Sequence, residues 1–180
     1  YKKLENKIEG IGLQWAGLRM IDTLHVHYPE LKLMQTESEC NNGMNEWFTA
    51  EHTWDLIYET FSNGGNSYMY WNLVLDEIGL SHWMWSQNSM ISVNKYTKEV
   101  NYNPEFYLMK HFSYFVEPGA KRIETIDNDD LLAFLNPDNS LVVIVANKKN
   151  KTDAFSFTWN KKYFSMQLKP KSFYSVIVSN

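Results

Sequence analysis

Glu37, Glu39 and Cys40 stand close together at the end of the stretch Leu31 to Cys40, LKLMQTESEC. A carboxylate can act as nucleophile or general base, and a thiolate can act as a nucleophile. Cys40 has no partnered His nearby in the sequence and is expected to be a small buried thiol. Side chains alternate with period 2 in a strand, so Leu31, Leu33, Gln35 and Glu37 are expected on one face, with Glu39 past the strand end. On local sequence alone Glu37 can equally be a solvated residue or a helix cap. Metal chemistry has little support: His25 and His27 are two apart on an expected helix and face different ways, and His52, His82 and His111 are scattered. Neither a metal nor a cofactor is expected.

Aromatic residues make up 16% of the 180 residues and include 7 Trp, several of them in polar surroundings. A Trp-rich core is one explanation. The other is stacking on sugar rings, whose C–H faces pack against aromatic planes while Asn, Gln and Glu hold the hydroxyls. The net charge of -4, with no basic run longer than two lysines, argues against a nucleic-acid partner. A single Cys excludes an intramolecular disulfide framework. No apolar run approaches the ~20 residues needed to cross a bilayer.

The elements that must position these residues follow in order. Ile8 to Trp15 reads as a short buried strand ending in Gln14 and Trp15. Leu18, Ile21, Leu24 and Tyr28 recur at helical spacing, and Pro29 closes that helix. The strand from Leu31 to Glu37 comes next. Thr49 is expected to cap a second helix with an apolar face of Trp54, Ile57, Tyr58 and Phe61, stopped by Asn63-Gly64-Gly65. Ser67 to Leu75 is expected to be a third strand. Strand, helix, strand, helix, strand with short connections predicts parallel pairing with crossover helices. A long loop with Trp83 and Trp85 leads to a short strand, Ser89 to Val93. Asn103-Pro104 starts a helix, and from Lys121 onward every signal is β, in the manner of an antiparallel sandwich.

The expected fold is therefore α/β followed by all-β. Residues 1–100 read as the last strands and helices of a (β/α)8 barrel, and 101–180 as a β-sandwich with its leading helix. In such a barrel the C-terminal strand ends converge on one face and carry the active site. Gln14-Trp15, Glu37 and Trp71-Asn72 lie at three such ends. Three strands cannot close a barrel of eight, so the remaining strands are expected upstream of Tyr1. The lack of an initiating Met points the same way.

Four ordered blocks carry a resemblance to a known family: QTESEC after a strand, YWNLVL after a helix, the loop SHWMWSQNSMISV, and YNPEFYLMKHFSYFVEPGAKRI. Together they resemble glycoside hydrolase family 30, in its glucosylceramidase-like branch, from about Gly10 to the C-terminus. The resemblance implies a (β/α)8 barrel joined to a β-sandwich and hydrolysis of β-glycosides with retention. It makes Glu37 the nucleophile, because the family's nucleophilic Glu follows Ser or Thr at the end of the seventh strand; Glu39 is the competitor. It makes Trp15, Trp71 and Asn72 sugar contacts. Gln14, also a candidate contact, stands where the glucosylceramidase-like members have His. Trp83, Trp85 and Gln87 match the last barrel loop, which borders the pocket.

The family's acid/base Glu lies in an Asn-Glu-Pro motif, and no such motif occurs here. Glu105 follows Asn-Pro, and Glu117 precedes Pro118 without the Asn. The 180 residues alone are thus expected to be inactive and, with open apolar edges, to self-associate. The resemblance implies a β-linked carbohydrate or glycolipid substrate and a secreted or lysosome-like location. YKKLENKIEG itself has no apolar leader region. The reading from another class is a carbohydrate-binding or interaction module without catalysis, with sugar affinity located in residues 121–180.

Overall fold

A computed structural model describes residues 7–126 and 128–179, and these form two compact units that divide between Tyr107 and Leu108. In the first unit, β1 (Gly10–Gln14), β2 (Lys32–Glu37) and β3 (Ser67–Tyr68) make a parallel sheet in that order. A 3-10 turn (Trp15–Met20) running into α1 (Ile21–His27) connects β1 to β2, and α2 (Trp47–Ser62) connects β2 to β3. The core between sheet and helix is Leu13, Leu18, Ile21, Leu31 and Leu33, with Ile11, Leu24, Tyr28 and Leu56 packed around it. Apolar residues at alternate strand positions meet apolar residues at helical spacing, as parallel pairing with crossover helices requires.

Several local expectations give way to tertiary structure. The strand expected over Ile8 to Trp15 ends at Gln14, because Trp15 takes a positive φ of 50° and opens the 3-10 turn. Thr49 is not the cap of α2 but lies inside its first turn; Glu46 holds the cap position, and the Thr49 hydroxyl bonds back to the Glu46 carbonyl (2.6 Å). The buried face of α2 includes Thr49, Ala50, Thr53, Trp54, Ile57 and Thr60, whereas Tyr58 and Phe61 are half-buried. Thr53 and Thr60 tolerate burial because each hydroxyl donates to the carbonyl four residues earlier.

The strand expected from Ser67 to Leu75 is broken. β3 stops at Tyr68, the Trp71-Asn72 peptide is cis, and β4 (Val74–Asp76) joins a different sheet. There β4 pairs in parallel with β5 (Ile91–Val93), which pairs antiparallel with β6 (Val100–Tyr102). β6 has no counterpart in the sequence reading, since its short polar-flanked run lacks a clear period. α3 (Pro104–Ser113) begins at Pro104, as the Asn-Pro pair predicts, but the Asn103 side chain donates to the Ser89 carbonyl at 2.8 Å.

The second unit is antiparallel. β7 (Lys121–Ile123), β8 (Leu131–Leu135), β9 (Leu141–Asn147) and β12 (Ser172–Val178) form one sheet in the order β12-β9-β8-β7. β10 (Asp153–Trp159) and β11 (Lys162–Leu168) form a separate hairpin. All seven residues of β9 are buried. Its inward side chains Leu141, Val143 and Val145 pack with Ala133, Phe155 and Leu168 in one apolar cluster that joins sheet and hairpin. Two β layers closed over a shared core are a sandwich. The turn Asn136 to Ser140 is fixed locally: Asn139 takes a positive φ of 65°, and the Ser140 amide donates to Asp138 (2.8 Å).

Candidate active site

The end of β2 does not follow simple alternation. Ile11 pairs with Leu33, Gly12 with Met34 and Leu13 with Gln35, but Gln14 pairs with Glu37. One extra residue, Thr36, sits in β2 at this point. The expected common face of Leu31, Leu33, Gln35 and Glu37 is therefore corrected. The first three are buried toward the helices, while Glu37 falls opposite Gln14, on the side of Gly12 and Met34. An inserted residue re-aims every side chain after it, because the side-chain period is two.

The sequence accommodates the insertion in two ways. The Thr36 hydroxyl donates to the Leu13 carbonyl (3.2 Å). Gly12 leaves room as well, since a Cβ there would come within 3.1 Å of the Thr36 methyl.

Turned out of the core, Glu37 is half-buried and meets Trp15, whose indole Nε1 donates to Glu37 Oε1 at 3.0 Å. The positive φ that ends β1 at Trp15 and the slip that ends β2 at Glu37 thus bring together two residues far apart in sequence. A fixed N–H donor holds the carboxylate in one rotamer. Glu39 is differently placed. Its Oε2 is 2.6 Å from His52 Nε2 on α2, in an exposed hydrogen bond.

Asn72 is half-buried and donates to Gln87 Oε1 (3.4 Å) and to the Asn88 carbonyl (3.3 Å), while its own carbonyl accepts from the Met90 amide (3.0 Å). Trp71 beside it and Trp15 are each 48% exposed, so both rings keep a free face for a flat ligand. Gln14 is exposed next to Trp15. Trp83 and Trp85 stand further along the chain, on a loop closed by the Leu80 to Ser86 bridge, with ring centroids 6.1 Å apart and planes tilted by 37°. They are more open than the strand-end Trp residues, at 73% and 63%.

Cys40 is buried, and burial pushes its thiol up, with a smaller opposing effect from a Gln87 hydrogen bond. A thiol held protonated is a poor nucleophile. Burial also pushes the Tyr68 hydroxyl up to about 12, with the Ser38 hydroxyl at 2.8 Å. No group of three or more His, Cys, Asp or Glu that could hold a metal ion occurs among the described residues. No helix among them is long and apolar enough to cross a membrane.

Two important residues escaped the sequence reading. Asn88 and Glu105 are both fully buried and bonded to each other at 2.7 Å. From its neighbours Glu105 stands out only negatively, as a carboxylate in the wrong motif. A buried Asn and a buried Glu announce themselves only through burial and partners, which neither periodicity nor spacing reveals.

Comparisons with known proteins agree on the family. Residues 119–176 match the glycosyl hydrolase family 30 beta sandwich domain. The chain is 31% identical over 142 residues to putative glucosylceramidase 1 of Caenorhabditis elegans, covering 71% of this chain and 27% of that protein. It is 30% identical over 162 residues to the lysosomal acid glucosylceramidase of Mus musculus, covering 80% and 32% respectively. The chain thus spans about a third or less of the length of these relatives. Among solved structures, SrfJ from Salmonella typhimurium superposes with a TM-score of 0.85 at 22% identity, over 100% of this chain and 43% of that one. The endo-beta1,6-glucanase BT3312 does so with a TM-score of 0.83 at 21% identity, over 97% and 42%. These two likenesses establish the fold. The second unit is a family 30 β-sandwich domain, and the chain belongs with the C-terminal part of the glucosylceramidase-like proteins of glycoside hydrolase family 30.

Proposed function

We propose that this chain is the C-terminal portion of a retaining β-glycoside hydrolase, in which Glu37 is the nucleophile. The observation that carries the reading is the Trp15 to Glu37 hydrogen bond at the ends of adjacent parallel strands. On this reading β1, β2 and β3 are the last strands of a (β/α)8 barrel, whose active site lies at the strand ends. The short share of each relative that the chain spans supports that placement.

Retaining hydrolysis uses two carboxyl groups about 5–5.5 Å apart. Glu37 attacks the anomeric carbon, forming a glycosyl ester as the bond to the leaving oxygen breaks. The second carboxyl gives its proton to that oxygen and then takes one from the water that cleaves the ester. No Asn-Glu-Pro motif occurs in the 180 residues, and on this reading the second group comes from elsewhere in the enzyme. By itself the chain is then inactive, and the uncovered sheet edges favour self-association. Trp15, Trp71 and Asn72, with Gln14, Trp83 and Trp85 around them, contact the sugar and its aglycone. The substrate is a β-linked carbohydrate or glycolipid, and the enzyme works in a lysosome-like or extracellular compartment.

The test is turnover of an aryl β-glucoside by this chain, by a protein extended upstream through the barrel, and by Glu37→Gln in both. Activity confined to the extended protein, and reduced there by roughly 10³-fold or more by the substitution, is the expected result. Turnover by the 180 residues alone refutes the missing acid. Full activity of the extended Glu37→Gln protein refutes the nucleophile and turns attention to Glu39. A binding module centred on the sandwich fits less well, because its single Trp, Trp159, packs against the sandwich core.

A further inference from the structure

Glu105 takes no part in the displacement just described, yet its carboxyl lies at the centre of a buried polar network. It is fully buried, and its Oε1 accepts from Asn88 Nδ2 (2.7 Å) and from the Thr49 hydroxyl on α2 (2.5 Å). Asn88 Nδ2 also donates to the Thr49 oxygen (2.9 Å). With its nitrogen so engaged, Asn88 Oδ1 points the other way, where it accepts from the amides of Gly43 (2.7 Å) and Asn45 (3.4 Å). The Asn88 backbone completes the clamp. Its amide donates to the Cys40 carbonyl (2.6 Å), and its carbonyl accepts from Asn72 (3.3 Å).

One residue therefore holds the segment that leaves Glu37 at Cys40, Gly43 and Asn45, and holds the segment after β3 at Asn72. The Glu105 carboxyl helps to fix the orientation of that residue, on the side opposite the Gly43 amide. Tyr70, one residue before Trp71, lies beside Glu105. Burial pushes its hydroxyl well above the usual range, and the adjacent Glu105 pushes it further.

We propose that Glu105 is a positioning residue for the Glu37 site, acting through Asn88 on the segments that carry Glu37 and Asn72. The proposal rests on the glycosidase reading above. Its physical basis is that the Asn88 side chain meets backbone donors on one side and the Glu105 and Thr49 oxygens on the other, which favours one orientation of its amide. An apolar side chain at position 105 removes the carboxylate acceptor from the buried Asn88 amide and Thr49 hydroxyl and weakens that preference. Small displacements of a nucleophile cost rate more than binding.

The test compares Glu105→Met, of similar length without an acceptor, with Glu105→Gln, which keeps one. Both are made in the upstream-extended protein. A 2-deoxy-2-fluoro β-glucoside with a good leaving group titrates competent sites by labelling Glu37, so kcat is expressed per labelled site. Glu105→Met is expected to lower kcat per site roughly 10- to 100-fold with KM little changed. Glu105→Gln is expected to recover most of that loss.

Wild-type kcat per site in Glu105→Met overturns the proposal. So does a loss that appears only as fewer labelled sites, which is a folding effect. Should Glu105→Met leave no labelled protein, Asn88→Ser takes its place, and wild-type kcat per site in that variant overturns the proposal equally. Glu37→Gln run in parallel separates the two ideas. If it stays active or the wild type takes no label, the glycosidase reading has failed. If labelling is normal and the Glu105 variants match wild type, the positioning role alone has failed.

Discussion

The two units solve opposite problems with the same alternating chemistry. In the sandwich, β9 is buried at every position, hydrogen-bonded to β8 on one side and β12 on the other, and its inward side chains join an apolar cluster. In the first unit the strands are shorter, the ladder slips at Thr36, and large apolar side chains such as Trp15, Met69, Trp71, Trp83 and Trp85 remain exposed. Its buried interior includes Thr49, Asn88 and Glu105. A regular ladder maximises burial and stability. A slipped one gives up regularity and turns a carboxylate out of the core. On the proposed function, the contrast leads us to expect stability from the sandwich and chemistry from the first unit.

That division can be broken by experiment. The largest effect on stability is expected from Leu141→Ala, which opens a cavity in the sandwich cluster at a cost of about 2–5 kcal/mol. Urea unfolding checks the cost, and kcat per labelled site in the extended protein is expected to stay at the wild-type value. A fall in kcat per site would show that the sandwich shapes the chemistry as well as the stability.

Trp15→Phe is the converse. It keeps a ring over the site but removes the N–H that holds Glu37, with an expected loss of about tenfold in kcat, or roughly 1.4 kcal/mol. The urea midpoint is expected to change little. Unchanged kcat would remove the observation on which the site is built.

The smallest effect concerns pH and the sandwich unit alone. His111 on α3 shares a 2.8 Å hydrogen bond with the Ser175 hydroxyl of β12, and burial, with Lys110 beside it, pulls its imidazole below the ordinary value. A His held neutral in the folded state contributes stability above the unfolded value of about 6.5, and that contribution is lost as pH falls through the lower folded value. Unfolding midpoints measured from pH 7.5 downward should therefore fall, and His111→Gln should flatten the slope. An identical slope in the variant would assign the effect to other groups.

Much was legible in the sequence because it depends on local pattern. Apolar alternation in Leu31 to Gln35 and helical spacing from Leu18 to Tyr28 are each set by residues a few positions apart, and the parallel sheet follows from them. The antiparallel tail was equally readable, since β8 to β12 are continuous β-rich runs separated by turn residues. Glu37 could be singled out by its motif.

Its surroundings could not. Strict alternation put Glu37 on the same face as Leu33, and only pairing with β1 revealed the extra residue that turns it toward Trp15. Ser67 to Leu75 looked like one strand because its composition is uniform, yet tertiary pairing divides it between two sheets. Asn88 and Glu105 have no local signal, because a buried hydrogen-bond network is defined by partners far away in the chain. The sequence by itself determined most of the elements and which carboxylate is the candidate nucleophile. The tertiary structure decided which way that side chain points and what holds it there, because register and buried polar pairing exist only once distant segments meet.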